Sequence, residues 1–216
     1  MKNQLDTQLD LLRDNLLKMG NLCEELIAHV TEAIGHGNEE ELQKIYNKGA
    51  LVDELERDIE RLCVRILLHQ HPVAKDLYQV SAALKMITDM ERIGDQVEDI
   101  ASILPQLKNR SNEVYDLIGK MAQASRLIVT ESIDAYIQQD IDLAEKVVKH
   151  DDIIDAYFDT IKSSITAQMI ATPQDGEDAL NWLMIAKYFE RIGDHATNIA
   201  EWVIYSITGE HIRENV

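Results

Sequence analysis

Between residues 5 and 34 the apolar side chains recur three and four positions apart, at Leu5, Leu9, Leu12, Leu16, Met19, Cys23, Leu26, Val30 and Ile34. That spacing lines one face of an α-helix and leaves polar residues on the other. Gly35-His36-Gly37-Asn38 closes the stretch, glycine supplying a C-cap and Asn38 an N-cap for the next element. A second stripe, Leu42, Ile45, Val52, Leu55, Ile59, Leu62 and Ile66, predicts a helix over 39–69. His71-Pro72 ends it, because proline cannot continue the hydrogen-bond ladder. A third helix is expected over 74–104, stopping near Pro105. The plan then repeats. Ser111 or Asn112 caps a helix to 138, and Asp140 caps one to 172. After the loop Thr172-Pro173-Gln174-Asp175-Gly176, a last helix runs over 178–208, with 209–216 expected to fray. No useful strand-like alternation occurs. The expectation is an all-α chain of six long helices in two tandem antiparallel three-helix bundles, residues 1–108 and 109–216, joined near 108–111.

An internal repeat supports this division. Glu91-Arg92-Ile93-Gly94-Asp95 returns unchanged as Glu190-Arg191-Ile192-Gly193-Asp194, 99 residues later. The middle helices align at an offset of 102, with Asp53 opposite Asp155, so a three-residue length difference lies between the middle and last helices. On a helical wheel with Glu91 at the origin, Asp95 falls at about 40°, Glu98 at about 340° and Asp99 at about 80°. Met86, Met90, Ile93, Val97 and Ile100 fall between about 180° and 260°, so the acids face away from the apolar stripe. Glu190 and Asp194 are placed likewise, although Asn198 replaces Asp99. Gly94 and Gly193 each cost about 1 kcal/mol relative to alanine inside a helix. Close approach of a neighbouring helix or a ligand explains such glycines.

The middle helices carry matching acid rows. Asp53, Glu56 and Glu60 share one face, and Asp151, Asp155 and Asp159 recur at steps of four, with Asp152 beside them. Like charges four apart on a helix repel by a few tenths of a kcal/mol, roughly, per pair. A cation between adjacent acid faces removes that cost. The candidate metal ligands are therefore Asp53, Glu56, Glu91, Asp95 and Asp99 in the first half, and Asp151, Asp155, Asp159, Glu190 and Asp194 in the second. Carboxylate oxygens suit hard cations, and the ion is left open among Mg²⁺, Mn²⁺, Ca²⁺, iron and Zn²⁺. The rows are unequal: Gly49 stands where the second half has Asp151, and Arg57 where it has Asp159. Arg92 and Arg191 are expected to pair with nearby acids.

The totals narrow the function. There are 39 acidic and 21 basic residues, for a formal net charge of −18. That excess opposes binding to nucleic acid, which needs basic groups to displace counterions, and opposes anchoring to anionic lipid. Cations and basic protein surfaces are the natural partners. The two cysteines, Cys23 and Cys63, lie in apolar-periodic stretches and read as reduced core residues. With no signal peptide and no apolar run of membrane-spanning length, the chain is expected to be cytoplasmic and soluble, without membrane insertion. Glu-x-x-His pairs, HExxH, GxSxG, P-loop and GxGxxG motifs are absent, and the seven histidines show no triad-like or metal-like spacing. No catalytic residue and no enzyme activity is predicted.

The doubled ERIGD motif, its flanking helices, the acid-x-x-x-acid pairs at Glu91/Asp95 and Glu190/Asp194, and the segment Pro72-Val73-Ala74-Lys75-Asp76-Leu77 together resemble the PhoU family over essentially the whole chain. The resemblance implies two three-helix bundles, a homodimer in many members, and multinuclear metal clusters on the acidic faces in some. It also implies negative control of phosphate acquisition, linking the ATPase subunit of a Pst-type phosphate ABC transporter to a PhoR-type sensor histidine kinase. The alternatives are a carboxylate-cluster metal-binding or storage protein, a metal-dependent enzyme, and a structural dimer whose acids serve solubility alone.

Overall fold

The periodic stretches fold as helices with nearly the expected limits. In the computed structural model residues 4–36, 39–70, 72–73, 75–108 and 113–211 are described. The helices are α1 (Gln4–His36), α2 (Glu39–His69), α3 (Lys75–Ile103), α4 (Glu113–Gln138), α5 (Ile141–Ala171) and α6 (Gly176–Thr208). No strand occurs among the described residues. Asp140 caps α5 as expected, its carboxylate accepting the Leu143 N–H at 3.0 Å. Gly209, in the left-handed region at φ 77°, caps α6 by donating its N–H to the Tyr205 carbonyl at 2.8 Å.

α1 ends at His36, inside the expected stretch Gly35 to Asn38, with Gly35 itself still helical. A Cβ at Gly35 would lie 2.9 Å from the Tyr115 hydroxyl of α4, so this glycine serves close packing rather than a cap. α6 begins at Gly176 rather than 178, directly after a 3-10 turn opened by Pro173. Pro105 opens a similar 3-10 turn after α3. The expected caps at Asn38 and Ser111 or Asn112, the break at His71, the junction beyond Lys108 and the tail beyond His211 lie outside the described residues.

The repeat is visible in what is buried. Leu12, Met19, Cys23, Leu26, Val30 and Ile34 of α1 recur 102 positions on as buried Val114, Met121, Ser125, Ile128, Ser132 and Tyr136 of α4. Ala83, Met86, Met90, Ile93, Val97 and Ile100 of α3 recur 99 positions on as Trp182, Ile185, Phe189, Ile192, Ala196 and Ile199 of α6. The register therefore changes between the middle and last helices, as the length difference required. Polar details repeat too. The Cys23 thiol donates to the Met90 carbonyl at 3.4 Å, and the equivalent Ser125 hydroxyl donates to the Phe189 carbonyl at 3.2 Å. Burial pushes both cysteine thiols up to about 12, so neither is a thiolate near neutral pH.

Each half packs its three helices together, and the halves join along α3 and α6, with α1 against α4. One apolar cluster runs through all six helices. α3 and α6 are antiparallel: Tyr78 packs edge-on against Tyr205 at 5.5 Å, while the Lys108 N–H meets Asp178 Oδ1 at 2.9 Å at the other end. Mid-seam, Asp89 accepts from Asn198 at 3.1 Å and lies 2.9 Å from His195 Nδ1. In the repeat register Asp89 matches Tyr188 and Asn198 matches Asp99. Tyr188 in turn faces Asp99, and its phenol is raised by burial and by that carboxylate, against Arg191. The seam thus carries the same contact twice. Among the described residues, no helix is long and apolar enough to cross a membrane.

Candidate functional site

The middle and last helix of each half lie side by side, and this pairing brings the acid rows together. On the first face, α2 supplies Asp53 and Glu56, and α3 supplies Glu91, Asp95 and Glu98. Glu91 is raised by burial and then by Asp95, Glu56 and Asp53, with Arg92 opposing. Glu56 is raised by burial, Glu60 and Asp53, with Arg57 and Arg92 opposing. Glu98 is raised by burial, Asp53, Asp95 and Asp99. These carboxylates feel one another across the helix pair, as one electrostatic cluster must. Arg92 partly offsets the charge, 2.9 Å from Asp95 and 3.5 Å from Glu91.

On the second face, α5 supplies Asp151 and Asp155, and α6 supplies Glu190 and Asp194. Asp151 is raised to about 6 by burial, then by Asp194, Asp155, Glu190 and Asp152. Asp155 is raised by burial, Glu190, Asp152 and Asp159, with Lys187 opposing. Asp194 is raised by burial, Glu190 and Asp155, with Lys187 and His195 opposing. Lys187 takes the place of Arg92 here: it pairs with Glu190 and lies 5.4 Å from the centre of the Phe158 ring. Arg191, expected to pair with an acid, instead sits 5.9 Å from the centre of the Tyr188 ring.

The two faces differ by an exchange. A Cβ on Gly49 would overlap the carboxylate of Glu98, which therefore lies directly over α2. A Cβ on Gly193 would come within 2.8 Å of Asp151 Oδ1, so Asp151 lies against α6. In the repeat register Gly49 corresponds to Asp151, and Glu98 to Thr197. Each face thus lodges one carboxylate in the crevice between its helices, sent from α3 in the first half and from α5 in the second. Asp151 Oδ1 is buried with no hydrogen-bond partner among the described residues, and so is Thr197 Oγ1. An orphaned buried carboxylate oxygen amid other carboxylates suits a hard cation.

Of the ten ligands expected from the sequence, eight gather on the two faces. Asp99 turns toward Tyr188 at the α3–α6 seam while still acting on Glu98. Asp159 stands at the end of its row, beside a surface depression with Lys162 and Ser163. Glu98 was visible on the wheel but absent from the expected set, because only helix packing shows that it reaches over Gly49. A further group, His29, Glu32 and Glu41, brings donor atoms within 4.8 Å of one another at the α1–α2 end. There the Lys44 ammonium, 2.7 Å from Glu41, already answers the charge.

The PhoU domain model matches the chain twice, over residues 16–104 and 118–203, one copy in each half. The chain belongs to the PhoU family. It is 31% identical over 212 residues to a phosphate-specific transport system accessory protein PhoU homolog of Clostridium acetobutylicum, covering 97% of each chain. It is also 31% identical over 215 residues to the homolog of the same name from Pseudomonas aeruginosa, covering 99% of this chain and 89% of that one. The crystal structure of PhoU from Pseudomonas aeruginosa aligns with a TM-score of 0.91 at 32% identity, over 96% of this chain and all 100% of the other. The phosphate transport system regulatory protein PhoU from Streptococcus pneumoniae aligns with a TM-score of 0.88 at 26% identity, over 97% of this chain. Six helices without strands among the described residues, arranged as a repeated three-helix unit, are the PhoU fold.

Proposed function

We propose that this protein is an accessory regulator of phosphate transport that acts by binding other proteins rather than by catalysis. In this reading it exerts negative control, linking the ATPase subunit of a phosphate ABC transporter to a sensor histidine kinase in the cytoplasm. The observation that carries the proposal is similarity along the whole chain to accessory proteins of the phosphate-specific transport system. The helical scaffold supports it by presenting two large acidic faces suited to cations and basic surfaces.

Within this proposal the faces also hold metal. Asp53, Glu56, Glu91, Asp95 and Glu98 would grip a hard cation at the first face, and Asp151, Asp155, Glu190 and Asp194 at the second. A bound divalent ion supplies positive charge where carboxylates repel and ties α2 to α3 and α5 to α6. The raised carboxylates support this, since a cation lowers the cost of ionising them. Deleting the gene should derepress phosphate-uptake genes in phosphate-rich medium, and a pull-down from replete cells should recover an ABC ATPase and a histidine kinase. Unchanged expression in the deletion, with neither partner recovered, would overturn the reading.

A further inference from the structure

Away from both acidic faces, α1 and α2 enclose a groove of about 430 Å³. It is lined by Leu22, Leu51 and Leu55 together with the acids Glu25, Glu54 and Asp58 and the basic Lys18. Leu51 is 47% exposed, a large apolar side chain with no cover among the described residues. The three acids are not equivalent. Glu25 pairs with Lys48 and Asp58 with Arg61, whereas Glu54 has no ionic or hydrogen-bond partner among the described residues. It lies one turn beyond Leu51, and both line the groove.

The repeat provides an internal control. At the 102-residue offset, Leu51 becomes Ile153, which is 48% exposed, and Glu25 becomes Leu127, which is 53% exposed. Glu54 becomes Ala156 and Asp58 becomes Thr160. The second half keeps exposed apolar groups at this place but none of the three acids. The carboxylate lining is therefore not demanded by the fold.

We infer that the α1–α2 groove docks a protein segment bearing a lysine or arginine beside large apolar side chains. The cation meets Glu54, and the apolar neighbours seat on Leu22, Leu51 and Leu55. Amphipathic helices commonly enter grooves this way, with apolar anchors three or four residues apart. The groove is lined by three acids against one lysine, Lys18, so charge complementarity favours a basic segment. The site is distinct from the metal faces, so it stands or falls separately from metal binding.

The test uses the full chain and a fluorescein-labelled amphipathic peptide of about 14 residues built only from leucine and lysine, followed by anisotropy. Glu54→Lys and Glu145→Lys change net charge equally, but Glu145 is an exposed residue of α5 remote from the groove. Glu54→Lys should weaken binding about tenfold or more, and Glu145→Lys less than about twofold. The charge-neutral Leu51→Ser should weaken it about fivefold, which isolates the apolar contribution. Equal weakening by the two charge reversals, or none by Glu54→Lys and Leu51→Ser, overturns the proposal. So does sedimentation showing a dimer that Leu51→Ser dissolves, since the groove then belongs to a second copy.

Discussion

Replacing Asp151 with asparagine should stabilise the metal-free protein, held in chelator, near neutral pH. Asp151 is held between α5 and α6, with Oδ1 buried and unpartnered among the described residues, and its carboxyl is raised from 3.8 to about 6. A shift of about two units at 1.36 kcal/mol each caps the cost of ionising it at ~3 kcal/mol. The group is only partly buried and solvent screens its neighbours, so ~1–2 kcal/mol is the expected effect. Asparagine keeps the shape without the charge. For a chain of this size that gain corresponds to a rise in Tm of ~3–5 °C. The pH dependence gives the sign. A carboxyl with a raised folded pKa binds a proton on folding, so stability falls as pH rises through the window from 3.8 to about 6. The advantage of the variant should be full above that window and shrink to a few tenths of a kcal/mol, roughly, by about pH 4. Urea denaturation of both proteins at the two pH values measures it. A variant no more stable at neutral pH, or equally advantaged at both, would refute the claim that Asp151 is ionised at a cost.

The pentapeptide glycines should behave oppositely. A Cβ at Gly94 meets Val52 at 3.6 Å and Leu26 at 3.9 Å, both ordinary contacts, so Gly94→Ala should gain up to ~1 kcal/mol from helix propensity. At Gly193 it meets Ile154, a buried β-branched side chain, at 2.8 Å, so Gly193→Ala should lose ~1–3 kcal/mol; equal effects in thermal melts contradict the packing. Gly49→Ala should leave the fold intact, because the flexible Glu98 carboxylate can swing out, yet should weaken Mn²⁺ binding at the first face in calorimetry. Asp178→Ala removes the acceptor for the Lys108 N–H, just beyond the 3-10 turn that follows α3, and should cost ~1–3 kcal/mol in urea denaturation.

The architecture was legible because its signals are local. Apolar spacing marks each helix, and the doubled pentapeptide fixes the relation of the halves. The cap at Asp140 follows from residue type alone, whereas Gly209, expected to fray with the tail, closes α6. What stayed hidden depends on contacts between distant segments. The packing role of Gly35 stayed hidden because its reason, the Tyr115 hydroxyl, lies on α4. Asp99 shares a wheel sector with Asp95, and only the packing of α3 on α6 turns it toward Tyr188. The exchange of Glu98 over Gly49 for Asp151 against Gly193 needs two offsets, 102 and 99, and a view of both helix pairs at once. Gly49 read as an acid missing from the row; in the structure it is the space that Glu98 occupies.

The central claim is that the two faces are built to hold cations. Calorimetric titration with Mn²⁺, backed by elemental analysis, tests it on the wild-type chain, on Asp95→Asn and Asp194→Asn singly, and on the double variant. Asp95 and Asp194 are the matching acids of the repeated pentapeptide, one on each face. Each single change should remove the binding at one face, and the double change should abolish it while circular dichroism stays unchanged. Undiminished Mn²⁺ binding by a fully helical double variant would contradict the account.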